Sequence, residues 1–114
     1  MTKVHELEDL SNNPFFGLFE GARHGDGMEL SFFVGHVPPG LGPRLHKHPY
    51  AEAFVLHEGE ATFTAGDDEL VARGGQIVVV PPETPHKLVS SGEGNLLMVS
   101  IHPSREVVQT DLEE

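Results

Sequence analysis

Gly40-Leu-Gly-Pro-Arg-Leu-His46-Lys-His48-Pro-Tyr-Ala-Glu52-Ala-Phe-Val-Leu-His-Glu-Gly59 decides the reading of this chain. His46 and His48 are two residues apart, so on an extended backbone both side chains point to one face. Glu52 lies four further on and keeps the same parity. Phe54 and Leu56 share it, which makes that face the interior of the protein. Two imidazoles and a carboxylate then converge on an apolar interior, where they are costly to bury without compensation. A divalent cation removes the cost, because imidazole and carboxylate are its usual ligands and its charge balances theirs. Downstream, Pro81-Pro-Glu-Thr-Pro85 is a turn that could aim His86 inward as a fourth ligand.

Outward from this stretch the pattern is β throughout. Met28, Leu30, Phe32 and Val34 alternate with Glu29 and Ser31, a period of two. Further strands are expected over Ala51–His57, Ala61–Ala65, Glu69–Ala72, Gln76–Val80, Lys87–Ser90 and Leu96–His102. Gly66-Asp67-Asp68 forms a hairpin turn. Short strands at intervals of 8–12 residues with Gly and Pro between them mark an all-β sandwich or barrel. A short helix is expected near Arg105–Leu112. Residues 1–13 are polar and read as an N-terminal arm packing on a neighbour, with residues 14–114 as one domain.

Composition narrows the function. The chain has 114 residues, 7 Lys+Arg against 18 Asp+Glu, and a net charge of −11. That balance argues against nucleic acid and against an anionic membrane surface, since phosphate neutralisation needs clustered cations. The ends are acidic: residues 1–9 carry −2 and residues 106–114 carry −4, which serves solubility. There is no cysteine, so disulfides, thiolate metal sites and cysteine nucleophiles drop out together. The N-terminus lacks the apolar centre of a signal peptide, and a cytoplasmic protein is expected.

The quoted stretch resembles the first motif of the cupin family, G-x5-H-x-H-x3-E-x6-G, at all five defining positions. The segment from Gly75 to Ser90 resembles the second, G-x5-P-x-G-x2-H-x3-N. There Gly75, Pro81 and His86 match, while Glu83 stands for the motif glycine and Ser90 for the asparagine. The resemblance implies a double-stranded β-helix, a conical jelly-roll barrel, holding one divalent transition metal (Fe, Mn, Ni or Zn). The implied ligands are His46, His48, Glu52 and His86. They leave a site charge near +1 and two open positions on an octahedral ion, where substrate oxygens or O2 bind.

The expected activity is that of a metal-dependent enzyme, such as a dioxygenase acting on a small oxygen-chelating substrate. A non-catalytic module for a small molecule or sugar, a metal-dependent isomerase or lyase, and a stress or sensor protein are the alternatives. Phe54, Leu56, His36 and His102 are the candidate pocket residues, with a rim position for His36 and a strand cap for His102 as rival readings. His57 faces away, and His5 and His24 are solvated. Lys47 points outward between the ligands, Arg44 could attract an anion, Glu83 is a surface carboxylate, and Tyr50 hydrogen-bonds in its loop. Met28 and Met98 fill core. Small proteins of this type pair as homodimers through their sheets, and Ala53, Val55, Phe33 and Val37 are the expected outer face.

Overall fold

A computed structural model describes residues 2–25 and 27–113. Among the described residues eleven strands run in chain order: β1 (Ser11–Asn13), β2 (Phe16–Glu20), β3 (Ser31–Val37), β4 (His46–Lys47), β5 (Glu52–Glu58), β6 (Glu60–Ala65), β7 (Asp68–Arg73), β8 (Ile77–Val80), β9 (His86–Ser90), β10 (Leu96–His102) and β11 (Thr110–Asp111). They form two antiparallel sheets, ordered β1-β2-β3-β10-β5-β8 and β11-β4-β9-β6-β7. The core between them is Val37, Phe54, Leu56, Ala61, Phe63, Ala72, Val80, Leu88, Leu96 and Met98.

β5 shows how the sequence selects this arrangement. Glu52, Phe54 and Leu56 are buried, Ala53 and Val55 are half-buried, and His57 is exposed, the alternation of a strand with one face on a core. At its end Gly59 has φ +93°, and a Cβ there would lie 2.5 Å from the Asn95 carbonyl oxygen. Only glycine allows so tight a passage from β5 into β6.

Several expectations are corrected. The alternation from Met28 to Val34 runs on the other face from the core: Ser31, Gly35 and Val37 are buried, Phe33 lines a cavity, and His36 is exposed. Both faces of β3 are apolar, so parity there could not say which is inside. Phe33 and Val37 therefore leave the proposed outer face, and Met28, 41% exposed, is not core. Residues 103–109 form no helix; they run as irregular chain into β11, which pairs with β4. A single helical turn, α1 (Gly21–His24), appears instead, fixed by backbone bonds from Gly21 to Leu30 and from Ala22 to Arg105. The N-terminal arm is partly tied down within its own chain, with a 3-10 turn at Leu7–Leu10 and β1 paired to β2.

Glu83 is the one non-glycine residue at positive φ, +60°, among the described residues, and it stands at the motif's glycine position. A side chain there costs about 1–2 kcal/mol relative to the right-handed region. Its ion pair with Lys47, 3.3 Å long and largely exposed, returns little of that. Glu83→Gly is expected to raise stability by about 0.5 kcal/mol after the added unfolded-state entropy of glycine. Glu83→Val is expected to lower it by more than about 1 kcal/mol. Thermal melts of the two variants beside the parent check the order.

Candidate metal centre

The two sheets deliver the site residues separately. His46 and His86 sit directly opposite each other where β4 pairs with β9. Glu52 opens β5 on the facing sheet, and His48 follows β4. His102 ends β10, one step beyond the Ala53–Ile101 pair, which puts it beside Glu52. All five are buried, at 6% exposure or less. Candidate ligand atoms of His46, His48, Glu52 and His86 lie within 4.8 Å of one another.

The hydrogen bonds fix the state of the rings. His46 Nδ1 bonds the Arg44 carbonyl, His86 Nδ1 the Thr84 carbonyl at 2.8 Å, and His48 Nδ1 the Val108 carbonyl at 2.8 Å. A carbonyl only accepts, so each Nδ1 carries the proton. The neutral imidazole then presents Nε2 as a lone pair. His48 Nε2 and His86 Nε2 both lie 3.0 Å from Glu52 Oε1, and the His86 contact has hydrogen-bond geometry when that nitrogen carries a proton. His48 Nε2 is close enough for an ion pair yet is not aligned for a hydrogen bond. Lone pairs converging on a carboxylate repel unless a cation stands among them. The donor set of three imidazoles and one carboxylate, with one buried nitrogen lacking a hydrogen bond, fits a divalent transition metal.

Electrostatics agree. Burial alone would raise the Glu52 pKa, but the imidazoles of His102, His48 and His86 outweigh it and hold the carboxyl far below the usual range. Burial lowers the pKa of His46, only partly offset by its bond to Arg44, so this ring favours its neutral form. For His48 burial is outweighed by Glu52 and the Val108 carbonyl, and the pKa is raised.

His102 joins the site from the side. Its Nε2 lies 3.0 Å from Glu52 Oε2, and its Nδ1 lies 2.7 Å from the Tyr50 hydroxyl. That hydroxyl accepts the Val108 N–H at 3.1 Å, so Tyr50 donates to His102 Nδ1, and His102 Nε2–H faces the carboxylate. Residue Val108 thus steadies His48 through its carbonyl and Tyr50 through its amide.

A cavity of about 420 Å³ adjoins the site, within the range of small-molecule pockets. Phe54 and His102 line it, as do His46 and Glu52. Leu56 does not; it is buried deeper in the core. His36 does not either: it is exposed, accepts from Asn95 Nδ2 at 3.1 Å, and borders a separate groove on the outer sheet face. Phe16, Phe33 and Ser100 also line the cavity and were missed by sequence reasoning. The parity of Phe33 with Ser31 and Gly35 was the available signal. The Val108 contacts left none, because they are made by its backbone.

The pH response follows from these shifts. Without metal, the raised His48 pKa stabilises the fold below about pH 6.5, and this is lost as pH rises through the folded value. The depressed Glu52 pKa stabilises it above about pH 4.5, and this fades as pH falls below that. Metal binding needs neutral imidazoles, so the rise in melting temperature on adding Mn2+ or Zn2+ should be at least twofold larger at pH 8 than at pH 6. Differential scanning fluorimetry at the two pH values measures it, and His86→Ala should abolish the difference.

Known proteins share this arrangement of strands. The cupin domain model matches residues 33–102. An uncharacterised protein of Methanocaldococcus jannaschii is 31% identical over 67 residues, 58% of this chain and 54% of that one; the chain thus spans about half the length of this relative. A variant of Bacillus subtilis oxalate decarboxylase superposes with a TM-score of 0.81 at 17% identity, over 93% of this chain and 31% of that one. Another structure of that enzyme, concerned with its Mn(II) centres, gives 0.77 at 18% identity over 85% and 27%. An uncharacterised Klebsiella pneumoniae protein with a double-stranded β-helix domain gives 0.76 at 20% identity, each chain covered in full. At these identities the structural likeness carries the fold alone. With the family model covering more than half of the chain and the strands closing into two facing sheets, the chain belongs to the cupin family.

Proposed function

We propose that this protein is a metal-dependent enzyme for a small oxygen-bearing substrate, with His46, His48, Glu52 and His86 holding one divalent transition metal. The observation that carries the reading is the set of Nδ1–carbonyl bonds, which turn three Nε2 lone pairs toward one carboxylate. A bound metal supplies a Lewis acid, and redox chemistry if it is iron or manganese. The chain contributes an apolar enclosure beside the ligands and a polar edge of His102 and Ser100. His102 Nε2 lies 3.0 Å from Glu52 Oε2 without hydrogen-bond alignment, and so adds an electrostatic hold on the carboxylate from the side. Among the possible reactions, oxygenation of the substrate is the one we favour.

Elemental analysis of protein purified without chelator or His tag, beside His48→Ala, tests the site. The expected result is about one equivalent of metal in the parent and a loss of most of it in the variant. Iron with substrate-dependent oxygen uptake supports the oxygenase. No metal in either protein after reconstitution defeats the enzyme reading in favour of a plain ligand-binding barrel.

We also propose a homodimer formed through the six-stranded sheet. Its outer face carries Val55, Ala53 and Val99, with Ile77 and Val79 65% and 63% exposed, an apolar run of the kind that marks an interface. In a chain of net charge −11, an uncharged face is where two like copies approach with least repulsion. Light scattering at micromolar concentration should give twice the chain mass, and Ile77→Lys with Val79→Lys should give the single mass. A parent of single mass rejects the dimer.

A further inference from the structure

The cavity beside the candidate ligands is lined by a polar group and a larger set of apolar side chains. The polar group is His46, Glu52, His102 and Ser100. Ser100 is buried and lines the cavity, which places a hydroxyl within reach of a ligand. The apolar lining is Phe16, Phe33, Phe54, Val37 and Met98. Phe16 and Phe33 meet edge to face with centroids 6.1 Å apart, and Phe33 meets His102 the same way at 5.4 Å. Gly35 keeps this wall open to Phe16, since a Cβ there would come within 2.8 Å of the Phe16 ring.

Charge restricts the occupant further. Arg44 is the cationic lysine or arginine lining the cavity, and it is exposed at the mouth. Asp111 and Glu113 line the same mouth. A site of three neutral imidazoles, one carboxylate and a divalent metal carries one net positive charge, enough for a single anionic head. Away from the head, a second carboxylate would meet mainly phenyl rings, with the neutral amides of Asn12, Asn13 and Gln109 and the exposed Arg44 as the remaining donors, and a charge left unpaired among the rings is costly. An apolar body, by contrast, gains from leaving water there.

We propose that the cavity selects a small molecule with a two-oxygen chelating head of at most one negative charge and an apolar body the size of an aromatic ring. A dicarboxylate as compact as oxalate, the substrate named for the structural neighbours, is disfavoured. Phe16 and Phe33 are the specificity-determining residues, and Ser100 is the hydrogen-bonding partner of the head. This inference rests on the metal reading above.

Hydroxamates separate head from body. Acetohydroxamate and benzohydroxamate share one chelating head and differ in a methyl against a phenyl group. Protein loaded with Co2+ would be titrated with each, and with oxalate, following the cobalt absorption bands and the heat of binding. Benzohydroxamate should bind at least tenfold more tightly than acetohydroxamate, with oxalate weakest. Phe16→Ala, verified to fold by circular dichroism and to take up cobalt, should shrink the hydroxamate ratio to below threefold. Phe33→Leu, a smaller change in volume, should reduce it partway should the alanine variant not fold. Equal binding of the two hydroxamates, or tighter binding of oxalate, overturns the substrate class and leaves the metal site standing. Failure of the parent to take up cobalt overturns the metal reading, and this inference falls with it.

Discussion

The buried carboxylate of Glu52 is the constraint on which the site depends. It sits at 3% exposure with three imidazole nitrogens 3.0 Å away. A charge so enclosed is tolerable only when its neighbours supply the opposite sign. Protons on the histidines can do this, and so can a metal. The backbone favours the second, because the carbonyls of Arg44, Thr84 and Val108 have already claimed the Nδ1 protons. The fold supplies the lone pairs and the negative charge together, and a single cation answers both.

The architecture explains why the ligands arrive from different places in the chain. A facing pair of sheets lets β4 and β9 offer two imidazoles side by side, while β5 brings the carboxylate across from the other layer. Cross-strand register sets positions along a sheet to within one residue. The site therefore inherits its precision from the strands. The irregular segments, the turn at Pro81–Pro85 and the chain after His102, contribute mainly backbone acceptors and the mouth of the cavity.

The sequence made the centre legible where one face of a strand was plainly apolar and the other was not. Glu52, Phe54 and Leu56 told their orientation because His57 and Glu58 broke the pattern on leaving the core. β3 did not, since Phe32 and Val34 on one face are as apolar as Phe33 and Val37 on the other; His36 was consequently set on the wrong side. Leu56 had the right parity but lies too deep to meet the cavity. The segment from Arg105 to Leu112 suggested a helix through local propensity, yet its backbone bonds go to α1, His48 and β4. Such partners are nonlocal and leave no periodicity to read. Glu83 shows the reverse case, a visible departure from the motif whose left-handed backbone is nonetheless retained.

The segment around Val108 has two duties at once. Its carbonyl holds His48, and the residues just after it, Gln109, Asp111 and Glu113, border the cavity mouth. β11 is two residues long and anchored by few bonds, so it belongs to the part of a fold that opens with least free energy. The stretch that borders the entrance is thus the stretch that orients the His48 ring, so a change of length or sequence there acts on both.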